Sequence, residues 1–418
     1  MSNNNSPKRP CCILRGDKQR SIDRRHPWIF SGAVRKIEGR PSDGDMVDVC
    51  DTEGRWLATG HFQADESIMV KVLSFDTRVI DEDFWRGRIG SALDYRRTLG
   101  LWNPTTPAEA GSAVATDNNQ PSITNVCRLV HGEGDGLPGL VADFYDGVLV
   151  LQCHSVGMHR ELPTLVPVFR KMMGERLVSV FDKSSATLPE SHAVEDAFIY
   201  GPDFSQREVV ENGCRMLIDI YEGQKTGFFI DQRENRAMLR DLAGGKRVLN
   251  CFGYTGGFSV SALKGGASCV ETVDISKKAI EMCGRNIELN FGREAAHRGV
   301  VADVLKYLDT DRASDFDIVV LDPPAFAKNH RSLQQGLKGY RTINRKAMEH
   351  IRRGGLLFTF SCSQAVSQAD FQTMVFTAAN QAHREVRIVR RLTQGADHPV
   401  SIYHPEGEYL KGLLLQVE

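Results

Sequence analysis

From about residue 206 onward, short apolar runs recur between amphipathic stretches, and this alternation limits the possible folds more than any other feature of the chain. The runs are RVLNCF (247–252), CVETVDI (269–275), RGVVADV (298–304), FDIVVLD (316–322) and GLLFTFS (355–361). Strands that are apolar along their whole length are buried on both faces, as in a parallel sheet covered by crossover helices. Helices are expected at SKKAIEMCGRNIELN and YRTINRKAMEHIRR. The last pair, VRIVRRLTQ and YLKGLLLQVE, reads as a hairpin at the sheet edge, which departs from pure β-α-β order.

The first part of the chain follows a different period. Between residues 10 and 86, short alternating segments separated by glycine (CCILRG, IFSGAVRKI, GDMVDVCD, RWLATGHF, SIMVKVLSF) predict a small β-barrel, with a helix following over 81–99. Residues 87–205 read as a small α+β unit, with a strand pair near 127–154, a helix near 159–174 and an aperiodic insert at 101–124 that is expected to be a mobile surface loop. At 418 residues the chain is long enough for these three units. The expected division is therefore 10–86, 87–205 and 206–418.

No apolar run is long enough to cross a bilayer, and the N-terminus does not resemble a secretory signal, so a cytoplasmic protein is expected. The ten cysteines show no C-x-x-C metal spacing, so reduced thiols and no metal are expected. With a net charge of -1, any nucleic-acid affinity has to come from local basic patches.

In open parallel sheets ligands lie beyond the carboxyl ends of the strands. The first sheet strand ends in Asn250, Cys251, Phe252, Gly253, Tyr254, Thr255, Gly256 and Gly257, a glycine-rich turn where backbone can approach a ligand. The second ends at Asp274 and Ile275, where a carboxylate can accept ribose hydroxyls. A nicotinamide dinucleotide and S-adenosylmethionine would both satisfy that acid. Asp303 follows the third strand, at the adenine end or as a helix cap, and Asp322 follows the fourth.

The fourth and fifth strands deliver Asp322, Pro323, Pro324, Ala325 and Phe326 on one side and Ser361, Cys362 and Ser363 on the other. If those strands are neighbours, a carboxyl and a thiol face one pocket. A D-P-P motif alone also suits methylation of an exocyclic amine. The thiol favours cytosine C5 instead, because C5 is too electron-poor to attack a sulfonium methyl until a thiolate has added at C6. Asp322, carrying or sharing a proton at N3, would stabilise the ring charge. A base must then remove the C5 proton, and no residue in the sequence identifies itself as that base.

Across nearly its whole length the chain resembles the large-subunit ribosomal RNA (cytosine-5) methyltransferase I family. The shared segments are HPWIFSGAV, RLVHGEGDGLPGLVADFYDG, GQKTGFFIDQRENR, NCFGYTGGFS, VDIS, LDPPAF and SCS. The resemblance implies an N-terminal PUA domain, a central α+β domain and a C-terminal Rossmann-like, doubly wound methyltransferase domain. It also implies S-adenosylmethionine as methyl donor, a cytosine of large-subunit ribosomal RNA as substrate, Cys362 as nucleophile and Asp322 as its partner. The GQKTGFFIDQR segment, Gln224 to Arg233, is expected either to shape the cofactor and substrate pocket or to be a structural hairpin feeding the sheet, with Gln224, Lys225, Pro323, Pro324 and Phe326 the candidate substrate-binding residues. Other RNA cytosine-5 methyltransferases carry a second cysteine after the proline of the fourth strand. This chain has Pro324 and Ala325 there, so product release cannot use that thiol. The 101–124 insert also differs from the compact family pattern.

Arg15, Lys18, Arg20, Arg24 and Arg25 near Trp28 suit phosphate contacts and base stacking, with Arg20, Arg24 and Arg25 the candidate RNA-binding residues. Arg341, Arg345, Lys346, Arg352 and Arg353 read as a solvated helix face. The partner expected is ribosomal RNA, with a homodimer left open. Two rival functions remain at this stage: an RNA amino-group methyltransferase and a noncatalytic RNA-binding or ribosome assembly factor.

Overall fold

The computed structural model describes residues 9–64, 66–102, 124–310, 314–327 and 329–418. The loop expected at 101–124 falls, apart from residues 101, 102 and 124, outside the described residues.

The first six strands, β1 (Cys11–Leu14), β2 (Trp28–Phe30), β3 (Val34–Glu38), β4 (Met46–Cys50), β5 (Trp56–Phe62) and β6 (Ile68–Ser74), form one sheet in the order β2-β6-β5-β4-β1-β3. Alternate residues such as Cys12, Leu14, Val47, Val49, Val70 and Val72 fill its core, as a period of two requires. The helix Glu82–Thr98 follows, and its first turn is closed by the Asp81 carboxylate, which accepts from Phe84 N at 2.9 Å.

A second sheet contains β7 (Val126–His131), β8 (Leu140–Tyr145), β9 (Val148–Cys153), β10 (Ser179–Asp182) and β11 (Ala197–Tyr200), in the order β11-β10-β9-β8-β7. The helix expected near 159–174 is divided into Val156–Arg160 and Leu162–Met173. Pro163 lies in the first turn of the second piece, where a missing N–H costs nothing.

The parallel sheet starts later than the periodicity suggested. Residues 206–219 form an antiparallel ribbon, β12 (Gln206–Glu211) with β13 (Cys214–Asp219), that stands outside it. Short alternating strands joined by Asn212-Gly213 form a local hairpin, and Asn212 takes the positive φ (49°) that the turn demands.

The large sheet consists of β14 (Arg247–Cys251), β15 (Cys269–Asp274), β16 (His297–Val301), β17 (Ile318–Leu321), β18 (Gly355–Ser361), β19 (Val386–Leu392) and β20 (Lys411–Val417), in the order β16-β15-β14-β17-β18-β20-β19. The first five are parallel, whereas β20 runs antiparallel between β18 and β19. The final pair therefore does more than close an edge, since β20 brings its first residues alongside the end of β18. Both faces of its central strands are buried, whereas the edge strands β16 and β19 are largely exposed, so the run at 298–304 is not covered on both faces as its composition suggested. Val319, Leu321, Leu357 and Leu413 pack against Tyr340, Ile343 and Phe371, while Ile318, Val320, Phe358 and Leu414 pack against Leu239, Phe258 and Ala262.

A buried network of charged groups and backbone joins β7 of the second sheet to the helix before β14 and to the loop between β19 and β20. Arg128 grips Asp143 through two bonds of 2.8 Å, and Arg233 meets Asp397 at 2.6 Å, whose Oδ2 also accepts from Arg128 N at 2.9 Å. Removing one partner of such a pair leaves an uncompensated buried charge.

Candidate active site

The turn after β14 has three positive φ angles within five residues, at Phe252 (58°), Tyr254 (46°) and Gly256 (84°). Non-glycine residues adopt that region at a cost and mostly where surrounding structure imposes it. Asp274 at the end of β15 is one such constraint. Its Oδ2 accepts from Tyr254 N at 3.0 Å and its Oδ1 from Ser276 N at 2.8 Å, so the acid expected to meet a ribose also shapes the turn. A Cβ on Gly256 would lie 2.4 Å from the Cys283 sulfur, which makes glycine obligatory there. Asn250 is buried beneath the turn. Its Nδ2 donates to Ser259 Oγ at 2.8 Å, and its Oδ1 has no hydrogen-bond partner among the described residues. Beside Asp274, Ile275 is 73% exposed, a large apolar surface of the kind that packs on a planar base. Asp303 caps the short helix Val304–Tyr307 through Lys306 N at 3.0 Å. A glycine cradle, an acid with unspent lone pairs, an orphaned amide oxygen and an exposed aliphatic side chain fit S-adenosylmethionine. Asn250, Phe252, Tyr254, Thr255, Gly256, Asp274, Ile275 and Asp303 are thus gathered at one end of β14–β16.

β17 and β18 are hydrogen-bonded neighbours, so Asp322 and Cys362 leave the sheet side by side. The thiol reaches the carbonyl of Pro323, with Sγ donating to the oxygen at 3.9 Å. Pro323 is buried, Pro324 is exposed at the rim, and Phe326 packs against Tyr340 with the rings tilted by 40° and their centroids 4.7 Å apart. Burial and the nearby Asp231 carboxylate push the Asp322 carboxyl up to about 7. Lys225, a hydrogen bond from Gln232 and Arg236 pull in the opposite direction. Burial also pushes the Cys362 thiol up to about 11, with Asp322 adding to the rise and Lys225 opposing it. A carboxyl poised near neutrality beside a mostly protonated thiol can donate a proton at one moment and hold a charge at the next.

Residues 222–233 form the third wall. Gln224 N donates to the Tyr254 hydroxyl at 2.8 Å, which ties this segment to the glycine turn. Lys225 takes a positive φ (53°), lies over the Phe229 ring at 4.4 Å and pairs with Asp231 Oδ2 at 2.9 Å. Tyr409, just before β20, donates to the same oxygen at 2.6 Å. Asp231 is held well below the usual carboxylate range by Lys225 and His398, although its burial works against that.

A family model for S-adenosylmethionine-dependent methyltransferases matches residues 127–414, and one for the PUA-like domain matches residues 13–75. The curated protein "Ribosomal RNA large subunit methyltransferase I" of Escherichia coli (strain K12) is 37% identical over 413 residues, covering 97% of this chain and 98% of that protein. The same holds for its counterpart in strain SMS-3-5. The chain belongs to the ribosomal RNA large subunit methyltransferase I family. Its methyl donor is S-adenosylmethionine. Two solved structures share its fold over 97% of the chain and 100% of their own. One is a putative methyltransferase in complex with SAH, with TM-score 0.81 at 22% identity. The other is a putative SAM-dependent methyltransferase from Streptococcus mutans, with TM-score 0.79 at 20% identity.

In this family member the candidate RNA residues lie apart from the strand ends. Arg20 and Arg24 are exposed in and just after the short helix Arg20–Asp23, and Arg25 pairs with Asp76 at 2.9 Å over the Phe75 ring. Trp28 does not offer the free stacking face expected of it. Its indole donates to Glu133 Oε1 at 2.8 Å and packs edge-on against His404 at 4.4 Å, so it joins the first sheet to the rest of the protein. Arg345, on the helix Leu333–His350, pairs with Glu349, whereas Arg352 and Arg353 lie beyond the end of that helix and Arg352 pairs with Asp317. Asp231 and Gln232 fall in the segment expected to shape the pocket but have no individual signal there, and Tyr409 and Lys411 reach the site only because of where β20 lies. The one available signal was the density of polar residues in GQKTGFFIDQR.

Proposed function

We propose that this protein methylates C5 of a cytosine in large-subunit ribosomal RNA through a covalent bond from Cys362 to C6 of the base. The observation that carries the proposal is the thiol of Cys362 directed at the Pro323 carbonyl beside Asp322, a carboxyl that keeps its proton up to about pH 7. An amino-group methyltransferase would need the carboxyl and carbonyl but would have no use for that thiol. The name carried by the Escherichia coli relatives supports ribosomal RNA as the substrate and the cytoplasm as the place of action.

In this scheme Cys362 loses its proton and its sulfur electron pair forms the bond to C6. Asp322 gives its proton to N3 and so neutralises the charge pushed into the ring. S-adenosylmethionine, when bound, supplies an electrophilic methyl group to the C5 carbanion equivalent. Loss of the C5 proton to a base then expels the Cys362 thiolate, and N3 returns its proton to Asp322. Asn250, Tyr254, Asp274 and Ile275 would hold the donor, and Gln224, Lys225, Pro324 and Phe326 the base. Arg20, Arg24 and Arg25 would meet phosphates, with 10–86, 87–205 and 206–418 as the working domains. Mapping 5-methylcytosine in large-subunit RNA from cells with and without the protein tests the proposal. A site lost with the gene and restored by wild type but not by Cys362→Ala is expected, whereas restoration by Cys362→Ala would overturn the covalent route.

A further inference from the structure

We propose that Lys411 supplies the counter-charge for the Cys362 thiolate, a role that rests on the covalent scheme above and deepens it. Lys411 opens β20 opposite Ser361 of β18 and is only 4% exposed. Its Nζ donates to the Ser363 carbonyl at 2.7 Å, at the turn that carries Cys362. Among the described residues that carbonyl is its only bonded partner, and it enters no ion pair.

A buried ammonium without an anion is unfavourable, so natural structures pair it or leave it neutral. Burial lowers the Lys411 ammonium below the ordinary lysine value, and the Cys362 sulfur and the exposed Glu408 oppose that shift. Lys225, the other lysine near the thiol, is already matched by Asp231 at 2.9 Å, and those two charges act on the thiol in opposite senses. The groups facing Cys362 are therefore Asp322 from the end of β17, Lys225 and Asp231 from the 222–233 segment, Tyr340 from the helix Leu333–His350, and Lys411 from β20. Of these two cations, Lys411 is the one with no carboxylate paired to it among the described residues.

The chemistry balances without a further reactant. The Cys362 S–H gives its proton to water at the open rim, the thiolate pair becomes the S–C6 bond, and elimination returns that pair to sulfur. The anion on sulfur thus arises twice in each turnover, both times beside the Lys411 ammonium, which acts on the thiol and does not touch the base. It is a positioning residue in that sense.

The test is the rate of Cys362 alkylation by iodoacetamide as a function of pH, read by peptide mass spectrometry on the full-length protein with neither RNA nor methyl donor present. Lys411→Gln keeps an N–H for the Ser363 carbonyl and removes the charge. Alkylation near pH 8 is expected to slow by about tenfold or more, because one pH unit in the thiol midpoint is tenfold in thiolate. Lys411→Arg is expected to stay near wild type. Lys411→Met carries the same expectation as Gln if the Gln protein does not fold. Wild-type alkylation in the folded Gln or Met variant would overturn the inference and leave Lys411 as a carbonyl cap. Methylation by Cys362→Ala, measured in parallel, tests the covalent scheme separately, since the alkylation readout requires no methyl transfer.

Discussion

Replacing Asp322 by Asn is expected to stabilise the protein while impairing it, and by an amount that depends on pH. The carboxyl sits at about 7 in the folded protein against 3.8 for an unperturbed aspartate. The folded state therefore holds a proton that the unfolded chain has already released. Stability is lost as pH rises from about 3.8 to about 7, and the full penalty persists above that. At ~1.4 kcal/mol per pH unit the penalty at pH 8 has a ceiling of about 4 kcal/mol. Asp322 is partly open at the rim, and discounting for solvent screening leaves about 2 kcal/mol. Asn has the same shape and no charge to bury. In thermal unfolding without ligand, Asp322→Asn should raise the methyltransferase transition by roughly 4 to 8 °C at pH 8. At pH 5 the gain should be less than half of that, because the wild-type carboxyl is then protonated in the fold. Methyl transfer should fall by about 10²-fold or more at either pH. A destabilised variant at pH 8, or equal gains at both pH values, would refute the reasoning that burial and Asp231 hold this acid protonated.

Catalysis by neutral Asp322 with ionised Cys362, which titrate near 7 and 11, implies that kcat/KM rises about tenfold per pH unit up to about 7 and stays flat to at least pH 9. A decline between 7 and 9 would contradict the assignment of proton donor and nucleophile. Gly256→Ala places a Cβ 2.4 Å from the Cys283 sulfur at a φ of 84°. It should cost about 1–3 kcal/mol and weaken SAH binding in calorimetry, and unchanged affinity would show that the turn is not a cofactor cradle. Asp397→Ala strands the buried Arg233 guanidinium and should cost about 3–5 kcal/mol in urea unfolding. A loss below about 1 kcal/mol would mean that the Arg233 charge is compensated without Asp397.

The parallel sheet and the Asp322–Cys362 pairing were legible because both are written in local sequence. Strands buried on both faces leave continuous apolar runs, and the residues following each run fall at the ligand end whatever the rest of the chain does. The position of β20 was not legible. YLKGLLLQV fits an edge or an interior strand equally well, and only its insertion between β18 and β19 brings Tyr409 and Lys411 to the site. Asp231 was hidden for a related reason, since its partners Lys225 and Tyr409 are 6 and 178 residues away in sequence. The early ribbon at 206–219 was absorbed into the sheet because two short strands joined by Asn-Gly have the same composition as sheet strands. Trp28 illustrates the opposite error. An aromatic among arginines suggests RNA stacking, but composition cannot reveal that Glu133 and His404 already occupy the ring.

The covalent bond is the claim on which the rest depends, and RNA carrying 5-fluorocytosine at the target position tests it most directly. The C5 fluorine cannot leave as a cation, so after methyl transfer the ring has no route back and the sulfur stays attached. A denaturation-resistant protein–RNA complex that needs S-adenosylmethionine, contains one methyl group and maps to the Cys362 peptide is expected. Methylation of ordinary RNA with no trapped complex on the fluorinated one, or a complex that forms equally in Cys362→Ala, would contradict the account.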